Sequence, residues 1–169
     1  YKLVLAGPTV TIGESDPGIR TEEIPQFQFQ IEKAGLAKRV KVIPEFVDTA
    51  KFLSGADVFC FPAENEAMGT PLIEALSTGT PVIANADEPS FVEWINSGKN
   101  GYLVELDPAS WADSIVSAAK FTRAQRLKIS SDINSQISIE VIDQVYKALL
   151  DRLVDSSMEE AISVEKVLR

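Results

Sequence analysis

The chain has 169 residues, 45% apolar and 24% charged, a composition typical of one globular domain with a single core. Its net charge of −9 disfavours nucleic acid and anionic lipid as partners. The absence of histidine excludes a Ser-His-Asp triad and histidine-ligated zinc. No apolar run approaches the roughly 18 residues of a membrane span.

The single cysteine, Cys60, lies in an apolar run, so we expect a buried and unreactive thiol. Since no disulfide can form within the chain, a reducing, cytoplasmic compartment is expected. The sequence opens at Tyr1 without an initiator methionine or a signal peptide, and we expect the natural protein to continue upstream.

Short apolar runs between turn residues predict strands that are buried on both faces of a parallel sheet. These runs are residues 3–6, 40–43, 58–61, 82–84 and 102–104. Helical patterns are found at residues 24–34, 49–54, 71–76, from 108 onward behind an Asp107 cap, and at 138–153.

The alternation of strand and helix predicts an α/β, Rossmann-like fold, with helices on both faces of a parallel sheet in three layers. We assign residues 1–154 to this domain and residues 155–169 to a C-terminal tail or helix. Ligands of such sheets bind at the carboxyl ends of the strands. The loop at residues 7–21 is long enough to be a flap or a partner contact.

The segment from Asp57 to Ala84 carries the chemistry. Here a strand is followed by a loop and a helix, for which Thr70 is the expected N-cap and Pro71 the first helical residue. The free N–H groups of this start can bind an anion with help from the helix dipole. They belong to Ala67, Met68, Gly69 and Thr70.

Two glutamates flank this helix start. Glu74 lies one turn into the helix, where its carboxylate can accept two hydrogen bonds from a vicinal diol such as a ribose. Glu66 lies in the loop, where its carboxylate can bond sugar hydroxyls. Gly69 lets a phosphate or sugar approach the backbone closely. The segment therefore favours a nucleotide-sugar as ligand.

These residues resemble a known motif. Glu66 and Glu74 with Gly69 between them, followed by Thr-Gly-Thr-Pro-Val-Ile-Ala at 78–84, are similar to the E-x7-E motif of glycosyltransferase family four. Lys-Leu-Val-Leu-Ala-Gly-Pro at 2–8, Ala-Asp-Val at 56–58 and Ser-Gly-Lys-Asn-Gly-Tyr-Leu-Val at 97–104, with Glu93 before the last, resemble further elements of that family. The resemblance covers about residues 1–150.

The resemblance implies the C-terminal, donor-binding half of a two-domain GT-B fold whose first βα unit is missing. It implies an enzyme that transfers a sugar from UDP-, GDP- or ADP-sugar with retention of configuration, without a metal or another cofactor. Glu66 is then the catalytic residue, Glu74 binds the ribose, and the amides of residues 67–70 bind diphosphate and sugar. The acceptor site and the Arg and Lys that neutralise the phosphates would lie upstream, in an N-terminal domain and in the missing unit.

Several positions remain open. Ala67 and Met68 stand where the family often has Gly-Phe, and Pro44 stands where a glycine is common near the base pocket. Glu93 fits a donor-site neighbour and a surface charge equally well. We expect Asp57 and residues 64–65 to be exposed to solvent. We expect Trp94 and Trp111 to lie in the core or on a surface that contacts a partner. A non-catalytic nucleotide-binding or scaffold domain of the same fold is the alternative function, and the isolated chain is expected to be nearly inactive.

Overall fold

The computed structural model describes residues 1–7, 9–10, 19–20 and 23–167, and the side chains of these residues except 9–10, 19–20 and 155–167. The chain divides into two compact units, Tyr1–Phe52 and Leu53–Arg169. Most of the predicted flap at residues 7–21 lies outside the described residues.

The first unit is built on two parallel strands, β1 (Leu3–Ala6) and β4 (Val40–Ile43), which pair with Leu3 opposite Val40. Between them lie the two-residue strands β2 (Thr9–Val10) and β3 (Ile19–Arg20), paired in parallel, and helix α1 (Ile24–Lys33). Helix α2 (Thr49–Ser54) follows. Both strands and both helices of the sequence prediction are confirmed here, with α1 ending one residue earlier than expected.

The second unit contains a three-stranded parallel sheet in the order β5 (Phe59–Phe61), β6 (Val82–Asn85) and β7 (Gly101–Val104). Helix α3 (Thr70–Ser77) joins β5 to β6. A 3₁₀ turn (Pro89–Phe91) lies between β6 and β7. The predicted strands are confirmed to within one residue at each end.

Helices cover both faces of this sheet. Val82 and Ala84 of β6 pack in one cluster with Leu72 and Leu76 of α3, and that cluster also contains residues of helix α5 (Arg123–Ile137). The intervening Ile83 packs on the opposite face with side chains of helix α4 (Pro108–Ala118). Because successive side chains of a strand point to opposite faces, a continuous apolar run serves both layers.

Helix α5 was not predicted from the sequence. Its buried side chains are Ile129 and Ile133, spaced one turn apart among polar residues, so its apolar stripe is narrow. The helix anchors its neighbours: Ser130 Oγ donates to the Ser77 carbonyl at the end of α3 (2.6 Å), and the Arg126 guanidinium donates to the Ala56 carbonyl (2.6 Å).

Helix α6 (Ile139–Val167) is the last element. It continues through residues 155–167, for which the sequence analysis allowed either a tail or a helix. Its apolar residues Ile142, Val145, Tyr146 and Leu149 are exposed. In the described part of the chain, none of the helices combines the length and apolar character that spanning a bilayer requires.

Candidate donor site

The loop at residues 63–69 carries the first predicted site residue at the carboxyl end of β5. The backbone N–H groups of Ala67, Met68 and Gly69 all point at one oxygen of the Glu66 carboxylate, Oε1, at 3.1, 3.5 and 3.3 Å. The contacts of Met68 and Gly69 are long for hydrogen bonds, and three donors share one oxygen. The loop amides therefore converge on one anionic oxygen, an arrangement that backbone anion sites share.

The start of helix α3 differs from the prediction by one residue. The N-cap is Gly69, with a left-handed φ of +76°, and Thr70 is already the first helical residue; no side chain caps this end. The prediction of Thr70 as N-cap was wrong because the chain turns through a positive φ, which glycine adopts without strain. A Cβ on Gly69 would lie 2.9 Å from Cε1 of the buried Phe91 ring, so this position also lacks room for a side chain.

Glu74 lies on the exposed side of α3. Leu72, Ile73, Ala75 and Leu76 are buried, whereas Thr70 and Glu74 are exposed. Residues four apart share a helical face, so Glu74 follows Thr70 one turn along the exposed surface. The Glu74 carboxylate makes no hydrogen bond or ion pair with any described residue, which leaves both its oxygens open to a ligand.

The charge of this region is uniformly acidic. Between residues 63 and 98 the sequence has six carboxylates and no lysine or arginine. A phosphate bound here would thus depend on backbone N–H groups and the dipole of α3, and any neutralising cation would come from another part of the protein.

A second loop, residues 85–91 after β6, contacts the 63–69 loop through three side chains that sequence reasoning missed. The Glu88 carboxylate accepts from the N–H groups of Asn65 (2.5 Å) and Glu66 (3.1 Å). Asn85 Nδ2 donates to the Ala63 carbonyl (3.2 Å), and Ser90 Oγ to the Glu66 carbonyl (3.3 Å). Asn85 lies at the carboxyl end of β6, where ligand loops gather, and that position was the available signal.

Other positions agree with the sequence hypotheses. Asp57, Glu64 and Asn65 are exposed, and Trp94 and Trp111 are half-buried against the two core clusters. Glu93 and Pro44 are exposed and their roles stay predictions. Cys60 was expected to be buried and is half-buried; burial still raises the pKa of its thiol, which keeps it in the unreactive protonated form.

Residues 1–129 match the family model of glycosyl transferases group 1. The chain belongs to this family. Among curated relatives, a phosphatidyl-myo-inositol mannosyltransferase of Mycobacterium leprae is 33% identical over 93 residues, which are 53% of this chain and 25% of that protein. A D-inositol 3-phosphate glycosyltransferase of Corynebacterium jeikeium is 30% identical over 111 residues, 63% of this chain and 26% of that protein.

Solved structures show the same fold. The crystal structure of Anabaena Alr3699/HepE in complex with UDP and glucose superposes with a TM-score of 0.73 and 20% identity, over 89% of this chain and 40% of that chain. The prediction of a Rossmann-like domain of the GT-B type is confirmed. This chain spans about a quarter of the length of the two curated relatives.

Proposed function

We propose that this chain is the donor-binding domain of a retaining glycosyltransferase, which transfers a sugar from a nucleotide-sugar. The observation that carries the proposal is the convergence of three backbone N–H groups on the Glu66 carboxylate at the uncapped start of α3. The Glu66 oxygen stands in for an anionic oxygen of the donor, since carboxylate and phosphate oxygens accept the same kind of hydrogen bond. A diphosphate that binds these amides displaces the carboxylate.

Once displaced, the Glu66 side chain remains tethered beside the diphosphate. Its backbone stays bonded to Glu88 and Ser90, so only the side chain has to rotate. A carboxylate at that position accepts hydrogen bonds from hydroxyls of the donor sugar and holds the anomeric carbon toward the acceptor. This is the catalytic role that we propose for Glu66, and it requires no metal ion.

Glu74 binds the nucleoside in this proposal. The exposed face of α3 presents its carboxylate one turn behind the amides, roughly 6 Å along the helix axis. A ribose linked to the diphosphate can place its two vicinal hydroxyls at that distance. Each bond to a charged acceptor contributes about 1.5–3 kcal/mol, so Glu74 is the main determinant of nucleoside affinity in this domain.

The rest of the machinery lies outside this chain in our proposal. An N-terminal domain of the same protein supplies the acceptor site, and basic residues outside the 63–98 segment neutralise the donor phosphates. The complex of a structural relative with UDP and glucose makes UDP the first nucleotide to test.

The test is isothermal titration of this chain and of the full-length protein with UDP, GDP and ADP, alongside turnover of the corresponding nucleotide-sugars. We expect one nucleotide to bind both proteins, its free nucleoside to bind far more weakly, and only the full-length protein to turn over. Nucleotide binding without turnover of any donor would support a scaffold domain instead. The absence of nucleotide binding to either protein would refute the donor site.

A further inference from the structure

Glu88 is a buried carboxylate, 9% exposed, that the donor-site hypothesis does not use. Burial of a carboxylate is costly unless its oxygens are hydrogen-bonded. Here each oxygen accepts one backbone N–H, Oε1 from Asn65 and Oε2 from Glu66, although these residues lie 23 and 22 positions earlier in the chain. The Glu88 carboxylate therefore links the 85–91 loop to two consecutive residues of the 63–69 loop.

The backbone at Asn65 is shaped for this contact. Successive N–H groups of an extended chain point in opposite directions, and a left-handed residue is one way to turn two of them toward one anion. Asn65 has a φ of +59°, the only positive φ of a described non-glycine residue. Asparagine tolerates this region better than most residues. The unusual conformation and the bidentate contact thus support each other.

Two further bonds from the same loop fix the neighbouring carbonyls. Asn85 Nδ2 holds the Ala63 carbonyl, and Ser90 Oγ holds the Glu66 carbonyl. Residue 66 is consequently bonded through both its N–H and its C=O to the 85–91 loop. Among the described residues, its side chain is held only by the three contacts of 3.1–3.5 Å to the amides of residues 67–69.

We propose that Glu88 is a positioning residue, which fixes the backbone of residues 65–66 and so aims the Glu66 carboxylate at the donor sugar. This inference rests on the proposed function of Glu66. It predicts that loss of the Glu88 contact leaves donor affinity nearly intact, because neither the amides of residues 67–69 nor the Glu74 side chain forms a hydrogen bond with Glu88. The loss falls on the catalytic step, where a displacement of a reacting group by about 1 Å is costly.

The decisive variant is Glu88→Gln in the full-length protein. A glutamine has one acceptor oxygen, and in either orientation its NH₂ group faces one of the two backbone N–H donors. We expect kcat to fall about 10-fold or more while KM for the nucleotide-sugar changes less than about 3-fold. Asp87→Asn is the matched control: it makes the same chemical change one residue away, at an exposed carboxylate, and should leave both constants within about 2-fold.

Amide hydrogen exchange provides a readout that needs no turnover. In Glu88→Gln the N–H groups of residues 65–66 should exchange about 10-fold faster or more, whereas those of α5 keep the wild-type rate. Ser90→Ala should give a smaller change of the same kind, and it replaces the first variant if Glu88→Gln does not fold.

The proposal is overturned if exchange at residues 65–66 is unchanged, if kcat and KM deteriorate together, or if Asp87→Asn matches Glu88→Gln. A wild-type protein that turns over no nucleotide-sugar would refute the proposed function instead. Exchange at residues 65–66 would then still decide whether Glu88 holds this loop.

Discussion

The starts of three helices in the second unit are built differently. Helix α4 is capped by Asp107, whose carboxylate accepts from the Ser110 N–H at 2.9 Å, and α5 by a reciprocal capping box between Thr122 and Gln125. Helix α3 begins at Thr70, after the N-cap Gly69, without any side-chain cap. Side-chain caps of this kind satisfy free N–H groups at the start of a helix, whereas the amides of residues 67–69 that lead into α3 contact one oxygen of the Glu66 side chain.

Helix α3 can be stable without a side-chain cap because packing and bonds to α5 hold it in place. Four of its eight residues are buried, and its C-terminal carbonyl at Ser77 accepts from Ser130 and Asn134 of α5. Helices in proteins owe most of their stability to such packing. Helix α3 therefore does not need a side-chain cap, and in our proposal a ligand replaces the Glu66 carboxylate at the amides before it.

The largest effect should follow removal of Glu66. In the full-length protein, Glu66→Ala should lower kcat by about 100-fold or more, because the donor sugar loses the group that orients it. Nucleotide affinity should stay within about 3-fold or improve, since the amides of residues 67–69 no longer have a competing carboxylate. Turnover assays and titration of the same preparation measure the two effects.

Glu64→Ala is the control for this variant, since Glu64 is an exposed carboxylate of the same loop. It should change neither quantity by more than about 2-fold. An equal loss of turnover and affinity in Glu66→Ala would contradict the division of roles between the carboxylate and the amides.

Removal of Glu74 tests the exposed face of α3. If both ribose bonds are made, Glu74→Ala should weaken nucleotide binding by about 3 kcal/mol or more, measured by titration with the nucleotide that binds the wild type. Asp113→Ala removes an exposed carboxylate from α4 and should leave the affinity unchanged. Wild-type affinity in Glu74→Ala would rule out the ribose contact.

A pair of threonine variants tests which threonine caps a helix. Thr122→Ala deletes the cap of α5 and should lower the free energy of unfolding by about 1 kcal/mol, without an effect on nucleotide affinity. Thr70→Ala, at an exposed residue that caps nothing, should cost less than about 0.5 kcal/mol. Urea unfolding of both variants checks this, and a larger loss in Thr70→Ala would restore Thr70 as the cap.

Local patterns predicted most of the fold, because the apolar runs of strands and the apolar spacing of helices are formed by residues that are close in the sequence. Helix α5 was not predicted because Ile129 and Ile133 are its only buried side chains. The Thr-Arg-Ala-Gln pattern at 122–125 was nevertheless a usable signal of a helix N-terminus. Thr70 was predicted as the N-cap of α3 because threonine side chains often cap helices. The N-cap is Gly69 because the turn before α3 requires a positive φ.

The candidate site was predictable only where its residues are consecutive. Glu66, the amides and Glu74 occupy one loop and one helix, so their spacing along the sequence reflects their spacing in space. Glu88 and Asn85 reach the same loop from 22 to 23 residues away; the end of β6 marked their loop as a place to search, but no local pattern encodes these contacts. Tertiary structure was needed to find them.

The smallest effect concerns the charge of the α4 cap. Hydrogen bonds from the Ser110 N–H, then from its hydroxyl, hold the pKa of Asp107 below its usual range. A pKa lowered by folding adds stability above the unfolded-state value, about 3.9, and that stability is lost as the pH falls through the folded-state pKa. Asp107→Asn keeps a capping oxygen without the charge, so its Tm should be slightly lower than that of the wild type at pH 7. The Tm difference should narrow as the pH falls below the unfolded-state value and vanish below the folded-state pKa, and a difference that stays unchanged at low pH would mean that the charge of Asp107 contributes nothing to the cap.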